Sequence, residues 1–380
     1  MGKECVSVKA PIRIATLFSG IGAVEFALKR LRLESQIIFA CDNGEIEIEY
    51  DKDKEYSKVL ELCGSQAKAD YVEQLYKSKS RKRNYMKESY IANYDLHNGV
   101  FFYDACLLDG RDFFNEVDLF VGGSPCQSFS SVGAQRGLED ARGTLFYEFA
   151  RIISEVQPKV FIYENVQNVL RHDKGNTWKI MQGVFSSLGY EFDSKVLNAV
   201  DFGIPQVRNR LFVVGYRRDL KKVPLIENTI TNIPDFDMHQ FLESNCSLGN
   251  FTSDSSGALK VKKTRHKRVD DCYYLTPGIK RYVMNEGTKN YRTKVKIDLP
   301  IARTLLKTMH WHHRAGVDNY MREFDDIRML TEREALRLMG FTDDFKIVVP
   351  KTKIYMQAGN SIVVDVLMEL LRNIIKDKVL

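Results

Sequence analysis

The sequence has few cysteines and no long apolar run, and both absences narrow the class of protein. Its 380 residues include seven cysteines, an odd number that cannot pair completely, and no two lie within four positions of each other. This spacing argues against a disulfide framework and against a zinc-finger-type site. No run of 18 apolar residues is present, which excludes a membrane-spanning helix. The first ten residues carry Lys3, Glu4 and Lys9 without an apolar core, so we expect no signal peptide.

Positive charge is modest over the whole chain and concentrated in one stretch. The formal net charge is +6 and the isoelectric point is near 8.7. Residues 257–300 contain twelve Lys or Arg but only four Asp or Glu. A local basic surface of this kind suits a polyanion such as a nucleic acid, although a solvated basic face has the same composition.

Short β-like runs alternate with helical patterns in the first half, which is typical of an α/β protein with a parallel sheet. The predicted strands are residues 12–18, 36–40, 117–121, 160–163, 195–197 and 211–216. The predicted helices are residues 144–153, 177–188, 331–339 and 362–375, and Thr331 with Glu334 forms a capping-box pattern at the start of the third.

Two stretches divide this pattern into domains. Residues 1–220 form the predicted main domain, and the helix-prone residues 50–95 interrupt it as an insertion that is either a solvated surface helix or a second contact to a nucleic-acid backbone. Residues 221–300 have a looser, polar pattern and are predicted to be a second, smaller domain. Residues 301–380 return to the main domain and include the closing helix.

The first candidate site is a glycine turn after the first strand. Phe18, Gly20 and Gly22 precede a helix, whose N-terminus favours anionic groups, and glycine lets the backbone approach a ligand closely. A dinucleotide fingerprint would need a third glycine where Glu25 stands, which disfavours NAD. Asp42 follows the next strand, where an acid reaches ribose hydroxyls. Purely structural glycines are the alternative.

Two further motifs follow strands that end at the same predicted edge of the sheet. Cys126 lies in the run Gly-Gly-Ser-Pro-Cys-Gln-Ser-Phe-Ser, and Glu164 begins Glu-Asn-Val. Ligands of open α/β sheets bind beyond the carboxyl ends of strands, so a thiol and a carboxyl there can face one crevice. The alternatives are an inert packed cysteine and a helix-capping acid.

The last two motifs flank the second domain. Arg208 and Arg210 lie at the start of a strand, where surface ion pairing is the alternative to a ligand contact. Asn360 and Ser361 lie just before the closing helix, where a helix C-cap turn is the alternative.

In this order the motifs resemble the DNA (cytosine-5)-methyltransferase family, of the bacterial and phage type known from restriction–modification systems. The resemblance runs from Ile12 to about Ile375, outside the insertion and the second, variable domain. The matching blocks are residues 18–22, 124–130 with 137–145, 164–166, 201–210, 330–341 and 359–361.

The resemblance implies a Rossmann-like sheet that binds S-adenosylmethionine, with a smaller target-recognition domain. It implies that Cys126 adds to carbon 6 of a cytosine turned out of its helix, and that Glu164 contacts ring nitrogen 3. Arg210 would hold the ring carbonyl, with Arg208 nearby on a phosphate or on the loop. Transfer of the methyl group to carbon 5 would yield 5-methylcytosine and S-adenosylhomocysteine.

The resemblance also assigns binding residues. The cofactor residues are Phe18, Gly20, Gly22, Asp42, Asp104, Pro125, Asn360 and Ser361. The DNA contacts that it implies are Gln127, Ser130, Arg142 and Thr304. The basic residues Arg265, Arg268 and Arg292 of the target-recognition domain are candidates for base or phosphate contacts. The histidine cluster at residues 310–313 lacks a Cys or acid at ligand spacing, so we expect no metal site.

The partner is then double-stranded DNA, and the protein is expected to be a cytoplasmic, nucleoid-associated prokaryotic monomer with a possible cognate restriction endonuclease. Two alternatives stay open. One is a tRNA cytosine methyltransferase of the same fold, which the long variable region disfavours. The other is an inactive DNA-binding paralogue, which the presence of both Cys126 and Glu164 disfavours.

Overall fold

A seven-stranded sheet forms the centre of the molecule. The computed structural model describes residues 10–124, 145–229, 233–288, 291–292, 295–309 and 316–380, with backbone alone at 287–288 and 291–292. The strands are β1 (Ile12–Leu17), β2 (Ser35–Cys41), β3 (Val100–Phe102), β4 (Leu119–Gly122), β5 (Val160–Val166), β6 (Tyr190–Asn198) and β7 (Asn209–Arg217). Their order is β3-β2-β1-β4-β5-β7-β6, and β7 alone runs antiparallel to its neighbours. The predicted parallel α/β sheet is confirmed.

Two hydrophobic cores lie on the two faces of the sheet, because the side chains along each strand alternate between the faces. In β1, Ile12 and Ile14 belong to one core, whereas Ala15 and Leu17 belong to the other. Helices α1 (Ala23–Arg30), α8 (Glu332–Arg337), α9 (Lys351–Asn360) and α10 (Val364–Lys376) pack in the first core, while α5 (Leu145–Val156) and α6 (Asn176–Ser187) pack in the second. Successive side chains of a strand point to opposite faces, so a buried strand needs apolar residues at nearly every position.

Most predicted elements agree with the structure, and β3 is the main omission. The helices predicted at 177–188 and 362–375 correspond to α6 and α10 within two residues. At α8, the Thr331 hydroxyl accepts from the Glu334 amide at 3.1 Å and the Glu334 carboxylate accepts from the Thr331 amide at 2.8 Å, so the capping box is confirmed. Strand β3 has three residues, too few for a periodic signal.

The insertion folds as three helices that join the first core. They are α2 (Lys52–Glu61), α3 (Ser65–Lys79) and α4 (Tyr85–Asn93). Val59, Val72, Tyr76, Met86 and Tyr90 are buried in the same core as β1. The insertion is therefore an integral part of the main domain rather than a wholly solvated helix.

The region predicted as a second domain divides between two cores. It contains the hairpin β8 (Phe251–Ser253) and β9 (Leu259–Val261), helix α7 (Pro277–Val283), and strands β10 (Gly287–Thr288) and β11 (Tyr291–Arg292). Apolar residues between 226 and 259 pack in the first main core. A separate small core joins α7 to the later hairpin of β12 (Tyr320–Glu323) and β13 (Asp326–Met329).

One apolar segment meets the length and composition expected of a membrane span. It covers Lys351–Lys376, and 72% of its apolar window is buried inside the structure. The segment consists of the two helices α9 and α10, which contribute to the core. Such burial is typical of core helices.

Candidate active site

The strand order reverses at β1, and ligands of open α/β sheets bind at such a point, beyond the carboxyl ends of the strands. The glycine turn leaves β1 here, and Gly123 and Ser124 follow the neighbouring strand β4. The carboxyl ends of β2, β3 and β5 lie on the same edge. The sheet therefore brings most of the predicted site residues to one side of the molecule.

The turn after β1 requires glycine at two positions. Gly20 and Gly22 have φ of +55° and +76°, in the left-handed region that L residues rarely adopt. Phe18, which directly follows β1, has a φ of +57°. A Cβ on Gly22 would lie 2.2 Å from the ring of Tyr94, whereas one on Gly20 would meet no described atom within 4 Å. Gly22 is thus fixed by packing, and open space adjoins Gly20.

Asp42 organises the turn from the end of β2. Its two carboxylate oxygens accept from the backbone amides of Gly20 and Gly44, each at 2.8 Å. Burial raises the pKa of Asp42, although these two hydrogen bonds favour its charged form. Each oxygen accepts one of these bonds, which leaves lone pairs for a ligand hydroxyl.

Asn360 is also near this edge. Its amide donates to Glu45 at 2.9 Å, and Lys307 donates to the same carboxylate oxygen of Glu45 at 2.9 Å. Gly359 leaves no room for a side chain, because a Cβ there would lie 2.3 Å from the backbone nitrogen of Lys307. The end of α9 at residues 359–361 therefore packs against the segment at 306–307 and contacts the loop that follows Asp42.

Asp104, at the end of β3, already has three donors. One carboxylate oxygen accepts from the hydroxyls of Tyr50 at 2.5 Å and Tyr76 at 2.8 Å, and the other accepts from the amide of Cys106 at 2.9 Å. Asp104 is 8% exposed. The two phenols come from the insertion, and the sequence offered no signal for this contact.

Glu164 lies beside β4 and is paired with Arg210. The register of the sheet places Gly122 opposite Tyr163, and a Cβ on Gly123 would lie 2.8 Å from a carboxylate oxygen of Glu164. Arg210 Nε is 3.1 Å from the other oxygen. Burial raises the pKa of the Glu164 carboxyl, and the charges of Arg210 and Arg208 partly oppose that rise. The site thus holds a carboxyl that protonates more readily than an exposed one.

A polar group that sequence reasoning missed fixes the start of the cysteine loop. The Tyr163 hydroxyl lies 2.6 Å from the Ser124 hydroxyl and accepts from the Asn165 amide at 2.7 Å. Asn165 also donates to the Ser124 carbonyl at 3.2 Å. Tyr163 and Asn165 are buried, so these bonds hold β5 and the residue before Pro125 together. The Glu-Asn-Val motif contained Asn165, but nothing in it indicated Tyr163.

Arg208 connects three segments from the interior. It is 3% exposed, and its guanidinium donates to the carbonyls of Leu305, Gly359 and Ser361 at 2.8–3.0 Å. Burial, with a smaller effect of Arg210, lowers its pKa to about 9. These bonds join Arg208 to residues 305, 359 and 361, and its expected contact with a phosphate or with the catalytic loop stays a prediction.

Arg208→Met should therefore lower the free energy of unfolding by about 3 kcal/mol or more, because three buried carbonyls lose a charged donor. The measurement is urea unfolding at pH 7. Arg303→Met is the matched control, since Arg303 is partly exposed and its guanidinium donates to two carbonyls, those of Lys296 and Asp318. An equal loss in both variants would contradict the connecting role of Arg208.

The described residues predicted to contact DNA lie in the second region and, for Thr304, just after it. Arg265 and Arg268 are both exposed. Arg268 also pairs with Asp271 at 2.9 Å and lies over the ring of Tyr274. The Thr304 hydroxyl donates to the carbonyl of Val207 at 2.5 Å. The predicted residues outside the described ranges are Pro125, Cys126, Gln127, Ser130, Arg142 and the cluster at 310–313, and Arg292 is described by its backbone.

Comparison with known proteins identifies the family. The family model "C-5 cytosine-specific DNA methylase" matches residues 12–376. The chain is 32% identical over 276 residues to the orphan methyltransferase M.SPRI of Bacillus phage SPR, covering 70% of this chain and 52% of that protein. It is 34% identical over 264 residues to the type II methyltransferase M.HhaI of Haemophilus parahaemolyticus, covering 68% and 75%. The match to M1.ScrFI of Lactococcus lactis subsp. cremoris is 34% over 269 residues, covering 69% of this chain and 62% of the relative.

Solved structures share the fold. S. pombe Dnmt2 methyltransferase has a TM-score of 0.64 at 17% identity, with 97% of this chain and 99% of that chain covered. A putative DNA modification methyltransferase encoded in an E. coli prophage has a TM-score of 0.58 at 20% identity, with 96% and 99% covered. The chain spans about half to three quarters of the length of the three relatives above. Because the family model matches nearly the whole chain, this protein belongs to the C-5 cytosine-specific DNA methylase family.

Proposed function

We propose that this protein transfers a methyl group from S-adenosylmethionine to carbon 5 of a cytosine in double-stranded DNA. The observation that carries the proposal is the contact of Glu164 with Gly123. Gly123 lies three residues before Cys126, and three residues of chain span at most about 11 Å. The Glu164 carboxyl therefore lies within reach of the chain that leads to Cys126, which supports the proposal that the two residues act on one base.

The cofactor edge consists of the carboxyl ends of β1, β2 and β3 and the end of α9. Its residues fit a donor that carries a ribose and a purine. Open space adjoins Gly20, and lone pairs of Asp42 and Asp104 are available at the ends of β2 and β3. Phe18, Gly22, Pro125, Asn360 and Ser361 would complete the site. When bound, S-adenosylmethionine would supply the methyl group for carbon 5 and leave as S-adenosylhomocysteine.

The chain's own residues would act on the cytosine. The thiolate of Cys126 adds to carbon 6, which makes carbon 5 nucleophilic. Glu164 in its protonated form donates to ring nitrogen 3 and stabilises the charge that this addition develops. Arg210, which already contacts Glu164, would hold the ring carbonyl. After methyl transfer, water takes the proton from carbon 5, the electrons of that bond expel the Cys126 thiolate, and Glu164 regains its proton from nitrogen 3, which releases 5-methylcytosine.

DNA must present a single base to this cleft, so the target cytosine would be turned out of its helix. Arg265, Arg268, Arg292 and Thr304 are the proposed contacts outside the catalytic loop, and Gln127, Ser130 and Arg142 those within it. The basic residues at 260–268 support a phosphate contact, because most are exposed.

The names of the type II relatives support a role beside a restriction endonuclease. We further propose a monomer that acts in the prokaryotic cytoplasm, associated with the nucleoid through DNA. Sedimentation of the purified protein with and without duplex DNA would measure its oligomeric state.

The test incubates the purified protein and tritiated S-adenosylmethionine with unmethylated duplex DNA or with tRNA. We expect label in the DNA as 5-methylcytosine, at sites that bisulfite sequencing then maps. We also expect a covalent adduct with a duplex that carries 5-fluorocytosine at such a site. Label in tRNA alone would contradict the choice of substrate, and the absence of both label and adduct would contradict the activity.

A further inference from the structure

The helical insertion contacts four segments at the cofactor edge, which are those after β1, β2 and β3 and the end of α9. After β1, the Tyr94 hydroxyl donates to the carbonyl of Gly22 at 2.7 Å. After β2, the Asn84 amide donates to the carbonyl of Asp42 at 2.8 Å. At the far end of the chain, the Ser89 hydroxyl donates to the side chain of Gln357 at 2.9 Å, three residues before Asn360. The fourth contact, to Asp104, is the most specific.

Two tyrosines of the insertion occupy one oxygen of Asp104. Tyr50 precedes α2 and Tyr76 lies in α3, and both hydroxyls donate to Oδ2, at 2.5 Å and 2.8 Å. The amide of Cys106 donates to Oδ1 at 2.9 Å. A carboxylate accepts about four hydrogen bonds, so Oδ2 is filled and Oδ1 keeps one acceptor position. The two phenols thereby fix both the rotation of the carboxylate and the oxygen available to a ligand.

Part of the basic charge of the insertion is paired within the insertion itself. Lys77 and Lys87 both pair with Glu73, at 2.8 Å and 2.7 Å. Arg83 pairs with Glu88 at 2.7 Å. Two carboxylates thus pair with three of the six Lys and Arg residues at 77–87, whereas the buried tyrosines of the insertion point to the cofactor edge.

We propose that Tyr50 and Tyr76 are positioning residues for the methyl donor: they hold Asp104 so that Oδ1 accepts a hydrogen bond from the amino group of the donor's purine. This inference rests on the proposed function. It makes the insertion part of the donor site, and it predicts that loss of either hydroxyl weakens binding of the donor rather than binding of DNA.

The test measures binding of S-adenosylhomocysteine by calorimetry to the full-length Tyr50→Phe and Tyr76→Phe variants. A second ligand is the same molecule with hydrogen in place of the purine amino group. Each variant should bind S-adenosylhomocysteine about tenfold more weakly, because one hydrogen bond to a charged acceptor is lost. The deaminated ligand has no amino group to donate to Oδ1, so its affinity should change less than about twofold.

Tyr71→Phe is the matched control. The Tyr71 hydroxyl also donates to a carboxylate at 2.5 Å, but to Glu55 on the neighbouring helix of the insertion. The Tyr71→Phe variant should bind both ligands with unchanged affinity. Tyr50 is only partly buried, so Tyr50→Phe provides the result if Tyr76→Phe fails to fold.

The outcomes separate the positioning role from simple structural support and from the proposed function. Equal weakening for both ligands would show that the hydroxyls only support the fold, and unchanged affinity would show that they do not act on Asp104; either overturns the inference. Wild-type protein that binds neither ligand would contradict the proposed function, and the inference would fall with it.

Discussion

Cys126→Ser should reduce methyl transfer to duplex DNA by about 10⁴-fold or more, while S-adenosylhomocysteine still binds with its wild-type affinity. A serine hydroxyl ionises far less readily than a thiol, which is already a few per cent thiolate near pH 7. Ser124 is bonded to Tyr163 and Asn165, so the described part of the site should persist in this variant. The measurement is initial rate with tritiated donor.

The control for this substitution is an exposed, free cysteine elsewhere in the chain. Cys63 lies in the loop between α2 and α3, and Cys63→Ser should retain wild-type turnover. Cys126→Ser should also form no adduct with 5-fluorocytosine DNA. Substantial turnover by Cys126→Ser, or its loss in Cys63→Ser, would show that a different thiol, or none, performs the addition.

The sequence predicted those parts of the site that depend on strand ends. Parallel strands deliver their carboxyl ends to one edge, so a motif that follows a buried apolar run can be assigned to that edge. The turn at Gly20 and Gly22, Asp42 and Glu164 all conform to this rule. The capping box of Thr331 and Glu334 was also predictable, because both partners lie within one helical turn.

The remaining parts depend on contacts between residues far apart in the chain. Tyr50 and Tyr76 reach Asp104 across 54 and 28 positions. Arg208 bonds to carbonyls 151 and 153 positions away. No local spacing reports such contacts, because a buried polar group can find its partner anywhere in the fold. A helix-prone insertion with basic residues therefore gave no indication of its inward-facing tyrosines.

The same argument explains why the second region was hard to divide. Its first part, up to residue 259, contributes Met238, Phe241 and Phe251 to the main core, but loop-like composition concealed them. The small separate core needs Leu275 and Val283 from one side and Tyr320 from the other, and these lie on opposite sides of the predicted boundary at residue 300. Amino-acid composition identifies loops, but a core combines residues from segments that loops separate in the sequence.

Glu164→Gln should lower the rate of methyl transfer by about 10²–10⁴-fold, the usual contribution of a general acid. Glutamine can still accept from Arg210, but it cannot give a proton to ring nitrogen 3. Folding should not suffer. The folded protein raises the pKa of Glu164 above its ordinary value because burial disfavours the charged form. The folded state then binds this proton more tightly than the unfolded chain, so the wild-type protein loses stability as pH rises through the folded pKa.

Glutamine carries no charge and escapes that loss. We therefore expect Glu164→Gln to unfold in urea at no lower concentration than the wild type at pH 7. The difference between the two should disappear below about pH 4, where Glu164 is protonated in both states. A variant that is much less stable at pH 7 would show that the charged Glu164–Arg210 pair supports the fold. A variant that is stable and fully active would show that Glu164 does not act on the base.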